Sequence, residues 1–305
     1  MTSVDRTSVT VGIVEALSKL QAMRLSDTRV QTILRRALGE GSEKVLEKAG
    51  MGGPGVGFLN DGPSLLSAIE QKWKIQKPFY TIQPIADPEG LVVKSIFEEL
   101  GSTTISTADM EQWSKEAVFC HNDLAPRNIM VQPGKGPDGE TRYKLAAIID
   151  WELAGFYPPS YQLSLQDTQL GVGNQRLEFY LLLKEGMKDM VPLSPSQVAL
   201  VHAMKLIFES QHRWLWERSN IPANIRKRFR EMLGLSRDKH PYLGWKCETG
   251  GGPLPEFSKD DSQKLEDEVV ADMMARRQAK AKSAPVQSCL GRPLARVTRS
   301  DLGTE

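Results

Sequence analysis

Cysteine is scarce in this chain: three residues in 305, Cys120, Cys247 and Cys289, set far apart. That spacing builds neither a disulfide framework nor a thiolate metal cluster, and it fits a reducing compartment. Cys120 sits in an apolar run and reads as a small core residue. No stretch of about 18 apolar residues occurs, so no membrane-spanning helix is expected. The start has no basic segment followed by an apolar core, so no secretory leader is expected, and the cytoplasm is the expected location. An excess of either charge is also missing. Lys plus Arg number 39 and Asp plus Glu 38, a net charge of +1, which gives no ground for nucleic acid or an anionic membrane as a partner. No internal repeat is visible, and the pattern does not specify an oligomeric state.

Two short segments carry the chemistry. His121–Asn128 reads H-N-D-L-A-P-R-N, and residues 148–152 read I-I-D-W-E. Transfer of a phosphoryl group needs a carboxylate beside the acceptor hydroxyl and hard oxygen ligands for a divalent cation on the phosphates. Asp123 suits the first task. The side-chain oxygens of Asn128 and Asp150 suit the second. Val118-Phe119-Cys120, Ile129-Met130-Val131 and Tyr143–Ile149 are apolar runs of strand length. The last two flank Pro133-Gly134-Lys135-Gly136-Pro137-Asp138-Gly139-Glu140, a dense turn signal. A hairpin there would carry the chain out from Asn128 and back to Asp150, setting two ligands 22 residues apart side by side. His121 reads as an organiser of the loop rather than an acid or base. The bland alternative makes Asp123 and Asn128 turn formers and Asp150 a helix cap.

These residues resemble the aminoglycoside phosphotransferase and choline kinase-like superfamily of small-molecule kinases, in particular its fungal-type sequences. The match runs through His121, Asp123, Leu124, Ala125, Pro126, Arg127, Asn128 and Ile129, then Ile149, Asp150, Trp151, Glu152, Ala154 and Gly155. It is close over residues 118–160 and looser over 10–235. Protein kinases fit less well: Ala125 stands where they carry lysine, Asp150-Trp151-Glu152 replaces D-F-G, and no A-P-E follows. The resemblance implies an α+β, mainly helical fold, the C-terminal (large) lobe of a protein kinase-like fold with a small β-hairpin at the active site. It implies ATP and Mg2+ as cofactors and a small-molecule hydroxyl as acceptor. Asp123 would orient the hydroxyl and take its proton, with His121 and Arg127 as supporting catalytic residues. Asn128 and Asp150 would hold the metal on the nucleotide. Glu152 would bind metal through water or order the loop, and Arg127 would neutralise nearby carboxylates.

The rest of the chain reads as helices: 11–25, a second from Ser26-Asp27 through Leu38, Glu43–Ala49, 61–74, 88–101, Asp109–Glu116, 174–188, a long one from Ser194-Pro195 to Arg218, and Pro222–Leu233. Residues 151–159 read as turn and loop. Trp214, Trp216, His202 and His212 read as core or surface residues rather than ligands. Gly50-Met51-Gly52-Gly53-Pro54-Gly55 matches G-x-G-x-x-G but follows a helix and contains a proline, so it reads as a flexible loop, not a phosphate cradle. Lys94 follows Leu91-Val92-Val93 but lies only 27 residues before His121, and it reads as a surface lysine. The segment before residue 118 is therefore expected to lack the nucleotide-covering N-terminal lobe. That leaves two further readings, a pseudokinase or binding module and a truncated gene product. The expected organisation is a kinase-like large lobe over 1–249, then over 250–305 a linker, an exposed helix at 258–281 and a disordered tail.

Overall fold

The computed structural model describes residues 2–72, 79–87, 89–248, 254 and 257–283. The tail expected over 282–305 lies outside them from residue 284 on, as do Gly250–Pro253 and Pro255 of the linker.

The first helix, α1 (Ser3–Leu20), starts earlier than its apolar pattern suggests, because Thr2 and Asp5 form a capping box at its N-terminus. Val9, Ile13 and Leu17 fall on its buried face. Then come α2 (Thr28–Leu38), α3 (Glu43–Lys48), β1 (Met51–Gly53), β2 (Gly57–Leu59) and α4 (Gly62–Lys72). The glycine-rich segment is thus a hairpin, not a loop. Its glycines serve backbone contact: Gly52 has φ +102°, and a Cβ on Gly53 would stand 2.6 Å from the Ala154 carbonyl. No side chain fits between these backbones.

Residues 88–101, expected as a helix, are β4 (Glu89–Ser95) and a 3-10 turn at Glu98–Leu100. With β3 (Tyr80–Ala86) and β5 (Ser102–Ser106) they make a three-stranded antiparallel sheet. Along β4 burial alternates: Val93 and Ser95 are buried, whereas Lys94 is exposed. A short run rich in valine satisfies a strand as well as a helix, and the buried side against α8 decides it. Five strands therefore precede residue 118 among the described residues, where helices and loops alone were expected.

Next are α5 (Thr107–Glu116), capped by Ser106 and Asp109, and β6 (Val118–Cys120). The expected hairpin follows as β7 (Ile129–Lys135) and β8 (Thr141–Ile148). Residues 151–159, expected as loop, include β9 (Gly155–Tyr157) and the start of α6 (Pro159–Gln169), a helix the apolar pattern does not reveal. The remaining elements are α7 (Leu177–Lys188), α8 (Pro195–Glu217), α9 (Ile221–Met232), β10 (Leu235–Arg237), β11 (Trp245–Cys247) and α10 (Lys259–Ser283). Ser194 caps α8 through its hydroxyl, with Pro195 in the first turn as expected.

Three apolar clusters hold these layers. One joins the three-stranded sheet to α5 and α8 around Trp113, whose indole N–H donates to the Ser196 carbonyl at 2.8 Å. A second joins α1, α7 and the β7–β8 hairpin around Ile13, Leu17 and Leu183. The third joins α9 to α10, where Leu265, Val269 and Met273 are buried. The helix expected as exposed is therefore docked. Each of those side chains contributes at most about 1.5–3 kcal/mol of apolar transfer.

A four-stranded sheet in the order β2-β1-β9-β6 lies directly under the motif loops. Every pairing in it is antiparallel, and β6 meets β9 through Val118↔Tyr157, Phe119↔Phe156 and Cys120↔Gly155. The loops after β6 and before β9 thus leave the same edge of one sheet.

Candidate active site

β6 ends at Cys120, whose thiol burial pushes up to about 12, so it is an inert core group. The chain then turns sharply. Asn122 has φ +67°, a left-handed conformation that asparagine enters more readily than most residues. Two contacts pin the turn. The backbone N–H groups of His121 and Asn122 both donate to Gln162 Oε1, at 2.6 and 3.3 Å, and Asn122 Nδ2 donates to the Leu153 carbonyl at 2.9 Å.

His121 is fully buried, and its tautomer follows from its partners. The Asp123 N–H donates to Nδ1 at 3.2 Å, so Nε2 carries the proton and donates to the Ile149 carbonyl at 2.9 Å. Burial lowers its pKa, more than the Ile149 carbonyl and the Asp123 and Asp150 charges raise it. Trp151 closes over it edge-on at 4.5 Å, stacks on Phe119 and donates its indole N–H to the Ile148 carbonyl. The imidazole is neutral and ties the two motif segments together, which is an organiser's role.

The Asp123 carboxylate is the hub. Arg127 Nη2 donates to its two oxygens at 2.9 and 2.7 Å, Gln169 Nε2 donates to Oδ1 at 2.7 Å, and Asn128 Nδ2 donates to Oδ2 at 2.8 Å. Asn128 Nδ2 also donates to the Asp123 carbonyl at 2.8 Å. Both its partners are acceptors, which fixes the amide orientation and points Oδ1 away from Asp123. Arg127 is half-exposed, at 55% of its side chain against 11% for Asp123, so their ion pair is accessible and screened by water.

The hairpin brings Asp150 back to this loop. Ile129 pairs with Ile148, and the Ile149 N–H donates to the Asn128 carbonyl at 2.9 Å. Asp150, next in the chain, is exposed and left-handed at φ +65°. Strain of this kind costs about 1–3 kcal/mol and collects at functional sites. His121, Asp123, Arg127 and Asn128 are thus joined by direct contacts, and Asp150 by the backbone ladder. Glu152 is exposed one turn further on, with no hydrogen bond or ion pair to the others among the described residues.

The glycine hairpin leans on this turn: a Cβ on Gly55 would lie 3.2 Å from Leu153 Cδ2 and 3.7 Å from the Glu152 carbonyl. Lys94 stands on β4 opposite Thr81 and Ser102, without an ion pair among the described residues. Trp214 stacks on Phe79, and His212 is buried against the Ala223 carbonyl. Among the described residues no group of three or more His, Cys, Asp and Glu is arranged to hold a metal, and no helix is long and apolar enough to cross a membrane.

Sequence reasoning missed Asn122, Gln162 and Gln169. The two glutamines lie seven residues apart, two turns of one helical face on α6, and Pro158-Pro159 was the available sign of that helix's start.

A family model described as the phosphotransferase enzyme family matches residues 92–165, from β4 into α6. That span holds the loop, the hairpin and the Asp150-Trp151-Glu152 turn through which the chain resembles aminoglycoside phosphotransferases and choline kinase-like proteins. No curated protein and no solved structure matches the chain.

Proposed function

We propose that the chain is an ATP- and Mg2+-dependent phosphotransferase acting on an alcohol group of a small molecule. The observation that carries this reading is the hydrogen bond from the Ile149 N–H to the Asn128 carbonyl, which brings Asp150, the next residue, to the end of the hairpin beside the Asp123 carboxylate and Asn128. Asn128 Oδ1 accepts no hydrogen bond among the described residues, and the Asp150 carboxylate is exposed. Two hard oxygens at one edge suit Mg2+, which commonly takes one or two protein ligands and completes its shell with phosphate and water. Bound Mg-ATP would supply the phosphoryl group and neutralise its charge.

The residues divide the remaining work. The acceptor hydroxyl displaces Gln169 or Arg127 from Asp123, which then orients it and takes its proton. Arg127, released or retained, offsets negative charge at the loop. His121 stays neutral and fixes the spacing between the Asp123 and Asp150 segments, and Gln162 holds the loop's entry. Glu152 is placed to order the water around Asp150. Positioning and charge neutralisation do most of the work, and no covalent intermediate on the protein is required.

A second reading, a nucleotide-binding module without turnover, is favoured by one feature. Three donors already occupy the Asp123 carboxylate, so a weakly bound acceptor would not open it. Calorimetry of ATP with and without Mg2+ tests both. Mg2+-dependent ATP binding that Asp150→Asn weakens and Asp123→Asn does not is expected in either case; turnover of a hydroxyl acceptor separates the first from the second. ATP binding indifferent to Mg2+ and to Asp150 would sink both.

A further inference from the structure

A cleft of about 660 Å³ opens behind the catalytic loop, between α1, β7, the start of α7 and the start of α10. Its relation to Asp123 follows from the local geometry. Pro126–Asn128 is a 3-10 turn, in which residues three apart share a face. Pro126 and Ile129 line the cleft, whereas Arg127 and Asn128 between them reach the Asp123 carboxylate. The cleft therefore lies on the far side of the turn from the candidate catalytic carboxylate.

Its chemistry is two-sided. Val9, Val131, Phe179, Leu254 and Phe257 supply an apolar body. Arg6 and Glu178, both in the lining, pair with each other. Arg176 and Lys259 are exposed at the cleft and have no ion pair among the described residues. They sit at the N-termini of α7 and α10, whose backbone dipoles add to the positive field. A cleft of this size takes a drug-sized ligand, and its unneutralised charge among the described residues is cationic.

We propose that this cleft is a second binding site, which takes an amphipathic organic anion: an aromatic or aliphatic body seated against Phe179, Phe257 and Val131, with one carboxylate, sulfonate or phosphate between Arg176 and Lys259. The site is independent of the phosphotransferase reading. Its two walls are nonetheless the segments that grip Asp123, since Arg127 also donates to the Gly173 carbonyl at 3.4 Å, three residues before Arg176.

The test uses the full chain and a matched pair of probes, 8-anilinonaphthalene-1-sulfonate and the neutral N-phenyl-1-naphthylamine, followed by fluorescence titration. The sulfonate is expected to bind saturably at one site per chain and more tightly than the neutral amine. Charge reversal at both cations (Arg176→Glu with Lys259→Glu) should weaken the sulfonate about tenfold or more, as loss of two close charge contacts requires, and leave the amine unchanged. Val131→Trp fills the cleft and should abolish binding of both probes while the melting temperature shows the chain folded. Asp123→Asn should change neither. Equal affinity for the two probes, or indifference to the charge reversal, overturns the anion assignment. Sulfonate binding that survives in folded Val131→Trp, or is lost in Asp123→Asn, overturns the site. The two cations lie on the surface, so the charge-reversal arm holds whether or not Val131→Trp folds.

Discussion

Two buried aspartates, one against α6 and one on it, differ in the partners that hold them. Asp123 is as buried as Asp167, but it is held by a half-exposed arginine and two amides. Asp167, two residues before Gln169 on the helix, is buried with Lys184 at 3.0 Å, Tyr180 Oη at 2.7 Å and Arg237 against it. Burial by itself would raise the Asp167 carboxyl, but Lys184 and Arg237 carry it well below the usual carboxylate range. Arg237 continues the network to Glu209, which also pairs with Arg230, and both arginines stack on Trp245 with guanidinium carbons 4.0 Å from the ring centre. The first cluster has a half-exposed partner, Arg127, which on the proposed reading an acceptor would displace, and it lies beside two residues with left-handed backbone. The second is built from partners with nowhere to go. On the proposed reading, displaceable partners and local strain mark the functional carboxylate, and a dense charge network marks the structural one.

Substitutions at four positions test that contrast. The largest effect is expected at Asp123. Asp123→Asn should lower turnover by about 10²–10⁴-fold, the usual contribution of a positioned base, while stability falls by less than in the Asp167 variant, because the half-exposed Arg127 can turn to water where the buried Lys184 cannot. Steady-state kinetics and thermal melting together decide, and a large loss of stability with little loss of rate would invert the roles assigned to the two aspartates.

Asp167→Asn should do the reverse. It strips the buried Lys184 of its counter-ion, and such losses cost about 3–5 kcal/mol. Urea unfolding should register that loss, with turnover per folded molecule unchanged. A cost below about 1 kcal/mol would mean the network is not structural.

His212 gives a pH signature from the same buried region. Burial holds its pKa down at about 3, with Arg230 and Arg226 adding to the effect. The folded state keeps the ring neutral and the unfolded chain protonates it near pH 6.5, so its contribution is fully present above that pH. It is lost as pH falls from about 6.5 towards 3, on the order of a few kcal/mol in all. Unfolding at pH 7 and pH 4.5 should show this slope, and His212→Gln should flatten it. An equal slope in the variant would assign acid sensitivity to other groups.

The smallest effect is expected at Gln162. Gln162→Leu leaves two buried N–H groups without an acceptor, at about 1–3 kcal/mol, and Gln162→Glu, which keeps an oxygen, should recover most of it. Turnover in Gln162→Leu should fall as the loop's entry shifts. Unchanged stability and turnover would show that Asn122 and His121 hold the loop unaided.

The local geometry of the candidate site was legible in the chain alone. The turn signal at Pro133–Glu140 between two apolar runs specifies a hairpin whatever surrounds it, and that hairpin carries Asp150 to Asn128. Asp123, Asn128 and Arg127 are five residues or fewer apart, so the loop brings them together by itself. Ser194-Pro195 marked the start of α8 for the same reason: a cap acts through its nearest backbone amides. What depended on distant partners was not legible. Residues 89–95 became a strand because β3 and β5 offered ladders and α8 a surface, and a single segment shows none of these. Gly53 needed its place because the Ala154 carbonyl lies where a side chain would be, from a strand a hundred residues later. α10 was expected to be exposed because its sequence is charged, yet three apolar side chains suffice to dock it once α9 presents a matching face. Gln162 and Gln169 reach the loop only after α6 packs beneath it. Local hydrogen bonds are settled by neighbours in sequence, whereas burial and strand pairing depend on the free energy of surfaces that meet only in the folded chain.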